Sequence, residues 1–313
     1  MNIYFAPLEG VGGYIFRNAH KDYFKYVDKY FSPFVAARAS GIMKKKELRD
    51  ILPENNEGIN LVPQILTNDA KGFCRAAEQM SEIGYNEVNL NLGCPSGTVV
   101  GKGRGSGFLK TPDALDEFLD EIFSTCKVDI SIKTRIGYFE PEEFYGLIKI
   151  YNKYPVHELI IHPRTRMEMY NGLPEYEIFD DAVRLSDNVL CYNGDIKTVD
   201  DYKMITDRYT GINSVMIGRG FLRNPNLTAC IKYGDSLDKH ILKEFHDRLY
   251  GDYRDIYDGE RSVLFKMKEL WFYMAEVFTN YEKYLKKIRK VQHLSEYDVI
   301  VSKLFKEQEI LSV

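Results

Sequence analysis

The residues best placed to do chemistry lie in Asn89-Leu90-Asn91-Leu92-Gly93-Cys94-Pro95-Ser96. Val88–Leu92 reads as a buried strand that runs into a Gly93-Cys94-Pro95 turn. The glycine-rich stretch Gly101-Lys102-Gly103-Arg104-Gly105-Ser106-Gly107 follows. A thiol held at a strand end under a pliable loop suits proton chemistry on a bound substrate. Three roles compete for Cys94. A nucleophile needs a base to make the thiolate, and the sequence singles out none. A redox pair needs a resolving cysteine, and none lies nearby in sequence. A general acid needs only a thiol, which stays protonated at neutral pH with an ordinary pKa of about 8.5. Cys74, Cys126, Cys191 and Cys230 sit at no such turn and read as ordinary buried thiols.

Other polar groups also stand where apolar runs end. They are Ala6-Pro7-Leu8-Glu9-Gly10, Gln64, Lys133 with Arg135, His162 with Arg164, Asn193-Gly194-Asp195 and Gly218-Arg219-Gly220. The last two are glycine loops. Their backbone N–H groups can cradle a phosphate, with Arg219 adding charge. Each alone is an ordinary turn; together, after adjacent strands, they point to phosphate. Lys133 at the end of a hydrophobic strand is either salt-bridged or set against an anion. The reduced isoalloxazine of a flavin is such an anion around N1 and O2. Gln64 suits the amide-like edge of that ring. His162 suits a cofactor phosphate or a substrate carbonyl.

These residues need a scaffold that gathers strand ends. Apolar runs at 3–6, 30–34, 61–66, 88–92, 130–133, 159–162, 189–192 and 214–217 recur along the chain, with helical spacing at 70–83, 114–123 and 144–154. Buried strands alternating with helices predict a parallel sheet. Eight units fit a (β/α)8 TIM barrel, usually about 250 residues, with its site at the strand C-termini. A doubly wound open sheet is the alternative. After Lys232 the pattern becomes helical: 238–257, 260–279, 281–293 and 295–304. The expected organisation is an α/β barrel at 1–232, a link at 233–235, and a small all-helical domain at 236–313.

Net charge is −4 over 313 residues, so no general basic coat advertises nucleic acid. A local patch does: Lys283-Tyr284-Leu285-Lys286-Lys287-Ile288-Arg289-Lys290 has five positive charges in eight residues. Arg261, Lys266 and Lys268 lie on the preceding helix, near Trp271. A basic helix of this kind suits RNA phosphates. The five scattered cysteines form no CxxC or Cys/His cluster, so neither a zinc site nor a disulfide framework is expected. No secretory leader is expected, and no apolar run reaches the roughly 20 residues that span a bilayer. A cytoplasmic, reducing compartment is the expectation.

Asn91-Leu92-Gly93-Cys94-Pro95-Ser96, with its glycine tail and Phe108-Leu109, resembles the signature of the tRNA-dihydrouridine synthases. So do 6–11, Lys133-Thr134-Arg135-Ile136-Gly137, His162-Pro163-Arg164-Thr165, Tyr170-Asn171-Gly172, Asn193-Gly194-Asp195-Ile196 and Ile217-Gly218-Arg219-Gly220, in the family's order. The resemblance implies an FMN-bearing barrel and a helical tRNA-binding domain. It implies that NADPH reduces the flavin, that hydride passes to C6 of a tRNA uridine, and that Cys94 protonates C5. It carries flavin contacts onto Pro7, Gln64, Lys133, His162, Asn193, Gly194, Asp195, Gly218 and Arg219. Asn91 would lie near flavin and uracil, and Arg135 and Arg164 would contact substrate or phosphate. Lys286, Lys287, Arg289 and Lys290 would meet the RNA backbone. Gly97 and Val100 depart from relatives, which often carry Lys and Asn there. A monomer is expected. The rival readings are an FMN-barrel reductase of a free small molecule, of dihydroorotate or dihydropyrimidine type, and a non-catalytic RNA-binding flavoprotein.

Overall fold

Eight parallel strands close into a barrel in sequence order. They are β1 (Asn2–Phe5), β2 (Lys29–Ala36), β3 (Leu61–Leu66), β4 (Glu87–Leu92), β5 (Asp129–Gly137), β6 (Leu159–Thr165), β7 (Leu190–Tyr192) and β8 (Ser214–Ile217). The expected TIM barrel is therefore present. The computed structural model describes residues 1–37 and 43–311. Helices of the first half are α1 (Tyr14–Tyr23), α2 (Lys45–Ile51), α3 (Ala70–Glu82), α4 (Gly97–Val100), α5 (Pro112–Thr125), α6 (Phe144–Tyr151) and α7 (Tyr176–Leu185). Then come α8 (Val199–Arg208), α9 (Arg219–Arg223), α10 (Leu227–Tyr233), α11 (Lys239–Ile256), α12 (Glu260–Met274), α13 (Tyr281–Ile288) and α14 (Leu294–Glu307).

The barrel strands are apolar on both faces because helices cover them outside and side chains fill them inside. All six residues of β3 are buried. Tyr4, Ala6, Phe31, Val62, Ile160, Cys191 and Met216 form one interior cluster. Outside, α3 buries Phe73, Ala76, Ala77 and Met80, and α5 buries Leu115, Phe118, Leu119 and Ile122. Phe73 and Phe118 meet edge-to-face at 6.0 Å. Each large apolar side chain buried this way contributes about 1.5–3 kcal/mol before ordering entropy is subtracted.

The described residues divide into two compact units that interleave in sequence. The first holds residues 1–7, 28–194 and 206–216, and so nearly the whole barrel. The second holds 8–27, 195–205 and 217–313. Besides the helices after 236, which the sequence sets apart, the second unit takes in α1 and the segments 195–205 and 217–232. For α1 the packing explains this. Its Phe16 meets Phe245 of α11 edge-on at 5.7 Å, and the adjacent Phe24 meets the same ring at 5.1 Å. His20 packs against Phe221 of α9, and its ring nitrogen lies 3.0 Å from the Pro225 carbonyl. Aromatic partners on later helices draw the first helix into the second unit.

Within that unit, Trp271 is fully buried. Its indole N–H donates to the Tyr297 hydroxyl at 2.7 Å, and His246 lies 2.6 Å from the same oxygen. The helix expected over 260–279 stops at Met274, followed by a 3-10 turn. Phe278 pairs with Ile310 in an antiparallel bridge, which requires extended backbone there. The helix expected over 281–293 ends at Ile288, and the last one runs on to Glu307.

Candidate active site

Register fixes which side chains become neighbours. Gln64 of β3 lies beside Asn89 of β4, Asn89 beside Ser131 of β5, and Asn91 beside Lys133. Parallel neighbours point to the same face, so these polar groups line up inside the barrel. Gln64, Asn89, Asn91 and Ser131 form one hydrogen-bonded chain. Asn89 Nδ2 donates to Ser131 Oγ at 2.9 Å, Gln64 Nε2 to Asn89 Oδ1 at 2.7 Å, and Asn91 Nδ2 to Gln64 Oε1 at 2.6 Å. Asn91 Oδ1 then accepts the backbone N–H groups of Gly93 at 3.1 Å and Cys94 at 2.9 Å. The chain ends at the cysteine. Gln64 therefore spends one donor on Asn89 and its acceptor on Asn91, an arrangement that the sequence did not disclose.

The Cys94 turn is held from its far side too. Ser106 donates both its backbone N–H, at 3.1 Å, and its hydroxyl, at 2.9 Å, to the Cys94 carbonyl. Gly105 makes that approach possible: its φ is +57°, and a Cβ there would stand 2.8 Å from the Cys94 carbonyl. The segment after Cys94 is compact, with α4 followed by a 3-10 turn over Gly105–Lys110. Gly97 is exposed at the start of α4 with open space around it. Cys94 is partly exposed, and no cysteine among the described residues forms a disulfide.

Lys133 keeps some solvent contact, and its ammonium makes no hydrogen bond or ion pair to the described residues. Burial, then the charge of Arg135, pulls its pKa from 10.5 to about 8; Cys191 and Cys94 pull weakly the other way. A buried ammonium without a counter-ion among the described residues is costly, and a bound anion would offset that cost.

β5 and β6 run past the strand ends expected from sequence, to Gly137 and Thr165. Arg135 and His162 face each other across them. Arg135 is 1 % exposed and donates to the carbonyls of Gly93 at 3.0 Å and Thr165 at 2.7 Å. Arg164 donates to the carbonyls of Asn171 at 3.2 Å and Gly172 at 2.7 Å, and to His162 Nε2 at 3.2 Å. A guanidinium only donates, so Nε2 is the unprotonated nitrogen and the ring is the neutral Nδ1–H tautomer. Both arginines thus clamp loops. Tyr170, half exposed, lies over Arg135 at 5.2 Å and beside the His162 ring at 6.0 Å. Sequence reasoning gave Tyr170 no role of its own; its place between two cationic strand ends was the missed signal.

Pro7 stands partly exposed just beyond β1. After β7, Asn193 Nδ2 donates to the Met216 carbonyl at 2.8 Å. In the second unit, Arg219 pairs with Asp195 at 2.6 Å. Its charge is therefore shared with a carboxylate. Gly220 lies against the loop after β7: a Cβ there would stand 2.3 Å from the Ile196 carbonyl.

The basic run also lies in the second unit. Lys283, Lys286, Lys287, Arg289 and Lys290 are exposed, while Tyr284, Leu285 and Ile288 are buried. One helix face is thus core and the other cationic. Of the cations on α12, Lys266 donates to the Gly10 carbonyl and Lys268 to the Val291 carbonyl at 2.6 Å, so both are structural. Trp271, expected near this surface, is core. Phe265 and Phe272 of α12 are exposed instead, and the Arg289 guanidinium lies over the Phe272 ring at 5.2 Å.

Residues 4–311 match the model of the family described as dihydrouridine synthase. A probable tRNA-dihydrouridine synthase of Staphylococcus aureus (strain Mu50) is 30% identical over 278 residues, covering 85% of this chain and 81% of the relative. Probable tRNA-dihydrouridine synthase 2 of Bacillus subtilis (strain 168) is 28% identical over 269 residues, covering 83% and 80%. Among solved structures, morphinone reductase in complex with tetrahydroNAD superposes with a TM-score of 0.53 at 12% identity, covering 76% of this chain and 88% of the other. That likeness speaks for the barrel fold.

Proposed function

The chain belongs to the dihydrouridine synthase family, and on that premise we propose that it reduces a uridine of tRNA to 5,6-dihydrouridine, with FMN as bound flavin and NADPH as reductant. The observation that carries the reading is the neighbourhood of Cys94 and Lys133. A thiol held by both its backbone N–H and its carbonyl stands in electrostatic reach of an ammonium with no partner among the described residues. The donor set fits a flavin: a cation for a delocalised anion, and amide and imidazole groups for its polar edge. Bound there, reduced FMN supplies the hydride that C6 of the uracil receives.

The protein's own residues do the rest. Lys133 holds negative charge near the ring, where the low local dielectric strengthens the attraction. Gln64, His162 through Nδ1–H, Pro7 and Asn193 are assigned to the flavin. Gly194, Asp195, Gly218 and Arg219 are assigned to its phosphate. Cys94 Sγ gives its proton to C5 as the hydride arrives at C6. Asn91 sets the direction of that thiol through the turn it caps. Arg135 and Arg164 line the substrate side while clamping the loops of Gly93 and Gly172. Tyr170 offers a half-exposed ring to a splayed base.

Lys286, Lys287, Arg289 and Lys290 take RNA phosphates, which supply most of the affinity in such complexes. We assign a monomer acting in the cytoplasm, where its tRNA substrate is found. No helix of the described residues is long and apolar enough to cross a membrane. The test is Cys94→Ala with unmodified tRNA and NADPH, read by nucleoside mass spectrometry. The variant is expected to stay yellow and to be reduced normally, while dihydrouridine forms at least about 100-fold more slowly. Unchanged product formation would rule out the proton-donor role. Reduction of free uridine or orotate at the rate seen with tRNA would favour the small-molecule reading.

A further inference from the structure

Cys74 and Cys126 lie 52 residues apart in sequence, yet the Cys126 Sγ–H donates to Cys74 Sγ at 3.2 Å. Cys74 stands in α3, and Cys126 is the residue that closes the C-terminal end of α5. Both are partly exposed. With Arg75, Glu78, Ser81 and Lys127 they line a surface cavity of about 420 Å³. Disulfide sulfurs sit about 2.05 Å apart, so closing this pair takes an approach of roughly 1.2 Å. The remaining cysteines are placed differently: Cys191 and Cys230 are buried, and Cys94 stands in the catalytic turn.

We propose that Cys74 and Cys126 are a redox-active dithiol that closes to a disulfide by exchange with a small-molecule disulfide, such as oxidised glutathione, entering this cavity. Cys74 is the attacking sulfur. Burial raises its pKa, and the Glu121 and Asp69 carboxylates add to this, while the hydrogen bond from Cys126 and the Arg75 guanidinium favour its thiolate. Burial and the Cys74 sulfur push Cys126 higher. In the first step Cys74 thiolate attacks one sulfur of the small disulfide, whose S–S bond breaks to release one thiolate. Cys126 then loses its proton to solvent, attacks Cys74 Sγ and expels the second thiolate. Two protein thiols are oxidised, and one small disulfide is reduced to two thiols. The new bond ties α3 to α5 on the outside of the barrel.

The test uses the full chain loaded with flavin. It is incubated with oxidised glutathione, blocked with N-ethylmaleimide, digested without reductant and read by mass spectrometry. The expected product links the Cys74 and Cys126 peptides and is reversed by dithiothreitol. Its rate should rise about tenfold from pH 7 to pH 8, because only the thiolate attacks. Cys126→Ser should trap glutathione on Cys74. Cys74→Ser should abolish the link and leave Cys126 at least about tenfold less reactive. Recovery of both wild-type cysteines as maleimide adducts, or glutathione on Cys126 alone, would overturn the proposal. Because the wild-type protein gives the primary result, a variant that fails to fold leaves the test intact.

Discussion

Replacing Lys133 by Met is expected to make the flavin-free protein more stable and flavin binding weaker. The drop in the Lys133 pKa from 10.5 to about 8 corresponds to about 3 kcal/mol against the charged form at neutral pH. Residual solvent contact screens part of this, so we expect a gain of about 1–3 kcal/mol from Met, which keeps most of the aliphatic stem. The sign with pH is fixed by proton counts. Below pH about 8 both states are protonated, and the folded protein carries the full penalty. Between about 8 and 10.5 the unfolded chain holds more protons, so wild-type stability from this group rises with pH. Urea melts of both flavin-free proteins at pH 7 and pH 10 check this. The gap should be widest at pH 7 and shrink toward zero at pH 10. Flavin affinity at pH 7 should fall about 10–100-fold, as expected when one charge-assisted hydrogen bond is removed. A variant less stable than wild type at pH 7 would show that the ammonium has a partner and refute the reasoning.

Asn91→Ala removes one acceptor from two backbone N–H groups and one donor from Gln64. It should cost about 2–4 kcal/mol in urea melts and slow dihydrouridine formation more than flavin reduction; equal effects on both rates would deny Asn91 its place behind Cys94. Gly220→Ala puts a methyl 2.3 Å from the Ile196 carbonyl; a loss of at least about 2 kcal/mol is expected in thermal melts, and an unshifted melting point would contradict the tight approach. Lys286→Glu with Lys290→Glu should weaken tRNA binding and lower the salt slope by about one for each phosphate that is no longer neutralised, with flavin content unchanged; binding measured across salt concentrations decides it.

The barrel was legible because each strand is a short apolar run ended by polar residues. β3 and β8 match their expected spans residue for residue. β5 and β6 do not, since Arg135, Pro163 and Arg164 read as breaks. The structure keeps them in the strands through a register irregularity between Arg135 and Gly137, and both guanidiniums find backbone carbonyls. Such partners are set by tertiary placement, which periodicity does not encode. For the same reason the amide chain from Ser131 to Cys94 was invisible, although each of its residues could be named. The dithiol was hidden likewise: two helices had to be packed before two thiols met. Tyr284 and Trp271, which sequence placed beside the basic run, are core, and the exposed rings belong to Phe265 and Phe272.

The interleaving of the two units bears on how the chain is made. Phe245, on which Phe16 and Phe24 pack, follows α1 by some 220 residues. At 5–20 residues per second, that is a wait of roughly 10–45 s. Through that interval Phe16 and Phe24 lack the ring they pack on. Pausing of translation before α11 lengthens that interval.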